Sequence, residues 1–181
     1  MFLKKQKNFI ELNHNTKIPI TNKYKTPETL GYDRLASVIG AAKLYPKKNI
    51  LVIDIGTCIK FNFINSKKEF LGGSISPGLS MRFKALHEFT AKLPLLDLDF
   101  VNDFVGNTTE QSIKSGVLYG IIGELRDMIK MYQKRFSNLV VVVTGGDELK
   151  FLFLLKLNIF AEPNLIATGL NEILKHNVKK G

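Results

Sequence analysis

The sequence predicts an α/β fold, on three observations. Ile50-Leu51-Val52-Ile53 and Leu139-Val140-Val141-Val142-Val143 are continuous apolar runs, the pattern of strands covered on both faces. Each run stops at a turn of Asp, Thr and Gly: Asp54-Ile55-Gly56-Thr57 and Thr144-Gly145-Gly146-Asp147. Between them, residues 110 to about 136 carry apolar side chains at helical spacing, including Ile113, Val117, Ile121, Leu125, Met128, Ile129 and Tyr132.

Residues 1–30 are polar and irregular, with Pro19 and Pro27 as breakers. Thr29 to Asp33 leads into a helical pattern of Leu35, Val38, Ile39 and Ala42, which Tyr45-Pro46 ends. After the first buried strand, Ile59, Phe61 and Phe63 alternate with Lys60 and Asn62, a second strand. Asn65-Ser66-Lys67-Lys68 reads as a hairpin turn, and Phe70 to Ile75 returns as a third strand carrying Gly72-Gly73. Ser76-Pro77-Gly78 opens a helix with Leu79, Phe83, Leu86 and Phe89 on its apolar side. A loop with Pro94, Asp97, Asp99 and Asp103 follows, and Thr109 is placed to cap the long helix. After the strand at 139–143 come a short helix, a connection near Pro163 and a last helix from about Leu165 to Lys175. Strands that end in Asp/Thr/Gly turns facing helix starts form a phosphate-site architecture, so the pattern points to a nucleotide site.

The chain has 181 residues, 45% hydrophobic and 23% charged, enough to bury a core. No apolar run reaches the roughly 18 residues of a membrane span, and the N-terminus shows no secretion signal. Cys58 is the single cysteine, which excludes an internal disulfide and fits a cytoplasmic location. The net charge of +10 raises a nucleic-acid reading. Against it, the lysines are scattered singly or in pairs, arginine occurs only at 34, 82, 126 and 135, and no aromatic-basic stripe is present. Neither nucleic acid nor membrane is expected as a partner; the positive field suits anions such as ATP and a carboxylate substrate.

Three turns could carry chemistry. In Asp54-Ile55-Gly56-Thr57 the glycine allows close approach to a phosphate, Asp54 can hold a cation and Thr57 can donate to phosphate oxygens. The plainer reading is a strand-end turn with Asp54 capping its own backbone. Thr144-Gly145-Gly146-Asp147 can pass an adenine or a phosphate, or be a tight turn before a helix cap. In Gly31-Tyr32-Asp33-Arg34, Asp33 could accept a hydroxyl proton and Arg34 could hold a phosphate or carboxylate; helix capping with a surface arginine is the alternative.

Taken together, the pieces resemble one family. Tyr24…Leu30-Gly31-Tyr32-Asp33-Arg34, Asp54-Ile55-Gly56-Thr57, Gly72-Gly73-Ser74-Ile75-Ser76-Pro77-Gly78, Phe89 to Pro94, Gly106-Asn107-Thr108-Thr109…Ser115-Gly116 and Thr144 to Asp147 resemble type III pantothenate kinase in order and spacing. Thr168-Gly169-Leu170 is similar to the family's closing Gly-Leu, so the resemblance runs from about Lys17 to about Leu174. It implies an actin-like (ribonuclease H-like) kinase fold, in the acetate and sugar kinase, Hsp70 and actin superfamily. It also implies transfer of the ATP γ-phosphate to pantothenate, giving 4'-phosphopantothenate, the first step of coenzyme A synthesis. By position, Asp33 resembles the general base; Tyr24, Gly31, Tyr32, Asp33 and Arg34 resemble the pantothenate site. Asp54 matches a monovalent-cation ligand (potassium or ammonium), and Thr57 an ATP contact. Thr109 matches a pantothenate contact supplied by the partner subunit of a homodimer with a shared active site. A divalent metal, Mg²⁺, would accompany ATP.

The resemblance departs in two places. Family members begin with a strand ending in an Asp-x-Gly-Asn-Thr/Ser phosphate loop, which nothing in residues 1–30 resembles. The expectation is therefore an N-terminally truncated chain: residues 1–48 a remnant of the first actin-like half, 49–181 a complete second half, and the phosphate cradle half absent. A non-catalytic regulatory or binding protein on the same fold is the alternative. Where the family usually has Thr and Asp after Asp-x-Gly-Thr, this chain has Lys60 and Asn62.

Overall fold

A computed structural model describes residues 10–99, 101, 103–146 and 159–178. Its strands are β1 (Thr21–Asn22), β2 (Asn49–Ile55), β3 (Cys58–Ile64), β4 (Glu69–Pro77), β5 (Leu139–Thr144) and β6 (Phe160–Ala161). Its helices are α1 (Tyr32–Leu44), α2 (Leu79–Glu88), α3 (Thr109–Arg135) and α4 (Leu165–Val178), with a 3₁₀ turn at Pro27–Thr29. The strands form one mixed sheet in the order β1-β4-β3-β2-β5-β6. β2, β3 and β4 make an antiparallel meander; β5 runs parallel to β2, β6 to β5, and β1 to β4.

The two-residue periodicity of β2 divides the core between the sheet's two faces. Leu51, Ile53 and Ile55 join Phe61, Val141, Val143 and the inner sides of α2 and α3 in one cluster. Ile50 and Val52 join Ile64, Phe70, Val142 and the inner sides of α1 and α4 in the other. Each side chain of the β2 run is thus covered by a helix layer, which is why the run is apolar throughout. On the second face α1 and α4 meet backbone to backbone: a Cβ on Gly169 would lie 1.8 Å from the Ala36 carbonyl oxygen, and one on Gly40 would lie 2.3 Å from that of Leu165.

Three local expectations need correction. Residues 1–30 were expected to be irregular, yet Thr21 and Asn22 pair with Glu69 and Phe70. β6, likewise two residues long, was not expected; strands this short leave no periodicity to read. The cap of α3 is Thr108, not Thr109: the Gln111 N–H donates to Thr108 Oγ1 at 3.2 Å, and the Asn107 N–H donates to Gln111 Oε1 at 3.2 Å. Lys60 and Asn62 lie on the side of β3 that α1 covers, and Asn62 is fully buried. Asp147 and the short helix expected after it lie outside the described residues.

Candidate active site

The registers of β2 build the site. Asp54 stands opposite Lys60 on the antiparallel neighbour and opposite Thr144 on the parallel one. The two Asp/Thr/Gly turns therefore end side by side. Gly145 adopts φ of 111°, and a Cβ there would lie 2.2 Å from the Ile55 carbonyl oxygen, so the second turn closes on the first only with glycine. The Thr57 carbonyl accepts from the Gly78 N–H at 3.0 Å, which brings the start of α2 to the same edge. Thr57 itself is exposed there.

The N-terminus of α1 descends onto this edge from the other face. Asp33 lies in its first turn, where the helix dipole favours a carboxylate. Lys60 Nζ donates to Asp33 Oδ2 at 2.7 Å and to Asp54 Oδ2 at 2.8 Å, one ammonium joining helix and strand. Burial acts to raise the Asp33 pKa. The Lys60 hydrogen bond, the Arg34 and Asp33 backbone N–H groups and the Lys60 charge together outweigh it and hold the carboxyl below its usual value. Burial acts to lower the Lys60 pKa, but the two carboxylates overrule it and keep the ammonium charged. Gly31 leaves the carboxylate its room, since a Cβ there would come within 2.5 Å of Asp33 Oδ1.

Arg34, read as either a substrate ligand or a surface arginine, is buried at 5% exposure. Its guanidinium lies 5.4 Å from the Tyr24 ring centroid and 5.9 Å from that of Phe70. Nε donates to Asn62 Oδ1 at 2.6 Å, and Nη1 reaches the Tyr24 hydroxyl at 3.5 Å. Arg34 Nη2, Asn62 Nδ2 and Ser74 Oγ are buried without a hydrogen-bond partner among the described residues. The guanidinium is thus packed inside the fold with one N–H edge unpartnered among the described residues. Tyr32 is partly exposed on the outer side of the same turn.

Tyr24, Gly31, Asp33, Arg34 and Asp54 are thus gathered at one end of the sheet. Thr109 is not among them. It lines a separate open groove of about 950 Å³ with Arg82, Leu86, Gly106, Asn107 and Ser112. Glu124 of α3 anchors that side by accepting from Ser76 and Arg82. Cys58 is half-buried with Sγ 3.8 Å from Met81 Sδ. Sequence reasoning registered Lys60 and Asn62 only as departures and missed Phe70. The signal was there: an opposite-charge pair six residues apart across a tight β-turn faces itself on one side of the hairpin.

Among the described residues no group of three or more His, Cys, Asp or Glu side chains could hold a metal ion. A monovalent cation on Asp54 would meet the Lys60 ammonium already seated on that carboxylate, so these residues do not fit such an ion without displacing Nζ.

Comparison with known proteins finds relatives over nearly the whole sequence. Residues 3–131 match the family description type III pantothenate kinase. The type III pantothenate kinase of Christiangramia forsetii is 46% identical over 175 residues, spanning 97% of this chain and 72% of that protein. That of Phocaeicola vulgatus is 48% identical over 172 residues, spanning 95% and 71%. Among solved structures, a chain from Campylobacter jejuni described as a Baf family transcriptional activator superposes with a TM-score of 0.67 at 27% identity, covering 98% of this chain and 77% of that one. With identity this high over nearly the whole sequence, the chain belongs to the type III pantothenate kinase family of ATP-dependent kinases.

Proposed function

We propose that this chain transfers the γ-phosphate of ATP to the primary alcohol of pantothenate, giving 4'-phosphopantothenate at the start of coenzyme A synthesis, in the cytoplasm. The observation that carries the reading is the Asp33 carboxylate, ionised at the helix start and fixed against the strand end that bears Asp54. The alcohol oxygen forms a bond to the γ-phosphorus as the bond to the ADP oxygen breaks, and Asp33 accepts the hydroxyl proton. Lys60 occupies Oδ2, which leaves Oδ1, beside Gly31, as the accepting oxygen. In this reading Arg34 pairs with the pantothenate carboxylate, with Tyr24 and Tyr32 flanking the loop. Thr57 contacts ATP from the exposed turn. A divalent metal accompanying ATP would supply charge neutralisation of the transferring phosphate. Residues 1–48 and 49–181 belong, in this reading, to the two halves of the actin-like fold.

Thr109 lies on its own groove, so the reading gives it to the active site of a partner subunit in a homodimer. The test is a coupled assay with ATP, Mg²⁺ and pantothenate on the wild-type chain and on Asp33→Asn. The variant should fold and lose about 10²- to 10⁴-fold in kcat, the usual worth of a positioned base. An Asp33→Asn chain that turns over as the wild type does would overturn the assignment.

A further inference from the structure

We propose that Lys60 is a built-in monovalent cation: its ammonium occupies the position against Asp54 that a free potassium or ammonium ion would need, so the chain works without one. The inference takes the Asp33–Asp54 edge as the kinase site proposed above.

Two observations carry it. The first is geometry. Nζ lies 2.7 Å from Asp33 Oδ2 and 2.8 Å from Asp54 Oδ2, at the length of charge-assisted hydrogen bonds to both. The second is enclosure. The Asp54 side chain is 9% exposed and that of Lys60 22%, so the Asp54–Lys60 contact is largely withdrawn from water. An incoming cation would have to expel the ammonium from this contact and leave it without that partner.

The chemistry is conservative. A lysine ammonium is an ammonium ion on a tether, with the same charge and N–H donors. The tether fixes it by intramolecular advantage rather than by the salt concentration outside. Lys60 is a positioning residue here: it ties the helix that carries Asp33 to the strand end that carries Asp54.

The test compares wild type with Lys60→Thr and Lys60→Met in KCl, NH₄Cl and tetramethylammonium chloride at constant ionic strength, so that screening is equal throughout. Thermal unfolding is the first readout. The wild-type midpoint should be the same in all three salts. Lys60→Thr, with the position vacated, should gain about 5 °C in KCl or NH₄Cl over tetramethylammonium chloride through cation linkage. Lys60→Met keeps the aliphatic stem and serves where the threonine variant does not fold. Turnover of ATP and pantothenate is the second readout. Wild-type kcat/KM should change by less than about twofold between salts, and that of the variants should rise about tenfold or more on adding K⁺. A wild-type midpoint or rate that needs K⁺ would overturn the proposal, as would variants as indifferent to the cation as the wild type. Absence of turnover in every salt would instead count against the kinase reading, and the thermal arm would still decide the role of Lys60.

Discussion

Tyr45 ends α1 by donating its hydroxyl to Glu162 Oε1 at 2.8 Å, a bond between residues 117 apart in sequence. Burial, then the Glu162 hydrogen bond and charge, push the phenol up from 10.0 to about 12. A pKa raised on folding stabilises the fold fully below the unfolded value. That stability is lost as pH climbs from 10 towards 12, where the unfolded chain ionises and the folded one does not. Tyr45→Phe should therefore cost about 1 kcal/mol at neutral pH and flatten the stability profile in that alkaline window. Denaturant titrations at several pH values, with tyrosinate absorbance read alongside, check both. An unchanged alkaline slope would show that the bond does not matter. At this scale the sequence was informative about identity and silent about direction. Asp33, Arg34 and Asp54 were legible as candidates from their turns. That Arg34 turns inward between Tyr24 and Phe70 was not, because an arginine beside a helix start reads equally well as surface.

Elements were legible wherever periodicity was long. β2, β3, β4, α1, α2 and α3 fall where the apolar spacing put them, and β5 ends at Thr144 as its turn required. What spacing could not supply was which face met which helix, and therefore that the polar side of β3 is roofed by α1. The contact of α1 with α4 was equally hidden, since a glycine in a helix can mark either close packing or mere tolerance. The structure separates the two cases. Gly169→Ala places a methyl within 1.8 Å of the Ala36 carbonyl and can be accommodated only by moving backbone. It should destabilise by about 3 kcal/mol despite alanine's better helix propensity. Gly123 on α3 has nothing within 4 Å of its Cβ position, and Gly123→Ala should stabilise by about 0.5–1 kcal/mol. Opposite shifts in the denaturant midpoint, with unchanged slope, are the expected result; shifts of the same sign would mean that the two helices are not in close contact.

At the scale of the whole molecule, two chemically different regions stand apart. One end holds Asp33, Asp54 and Lys60; Thr109 stands on a groove that none of these three residues lines. If the functional unit is a homodimer in which each active site takes Asp33 from one subunit and Thr109 from the other, two separate defects can be sorted onto one site. Asp33→Asn and Thr109→Val chains, each inactive alone, are unfolded together and refolded as a mixture. Random pairing makes about half of the dimers mixed, and each mixed dimer has one intact site and one doubly defective site. Activity should return to about one quarter of the wild-type level, since one site in four is whole. Mixing without refolding should restore less, because stable dimers exchange subunits slowly. The quantity that discriminates is the recovered fraction. Were both residues to serve the same subunit, every site in every dimer would keep one defect, and the mixture would stay as inactive as its parents.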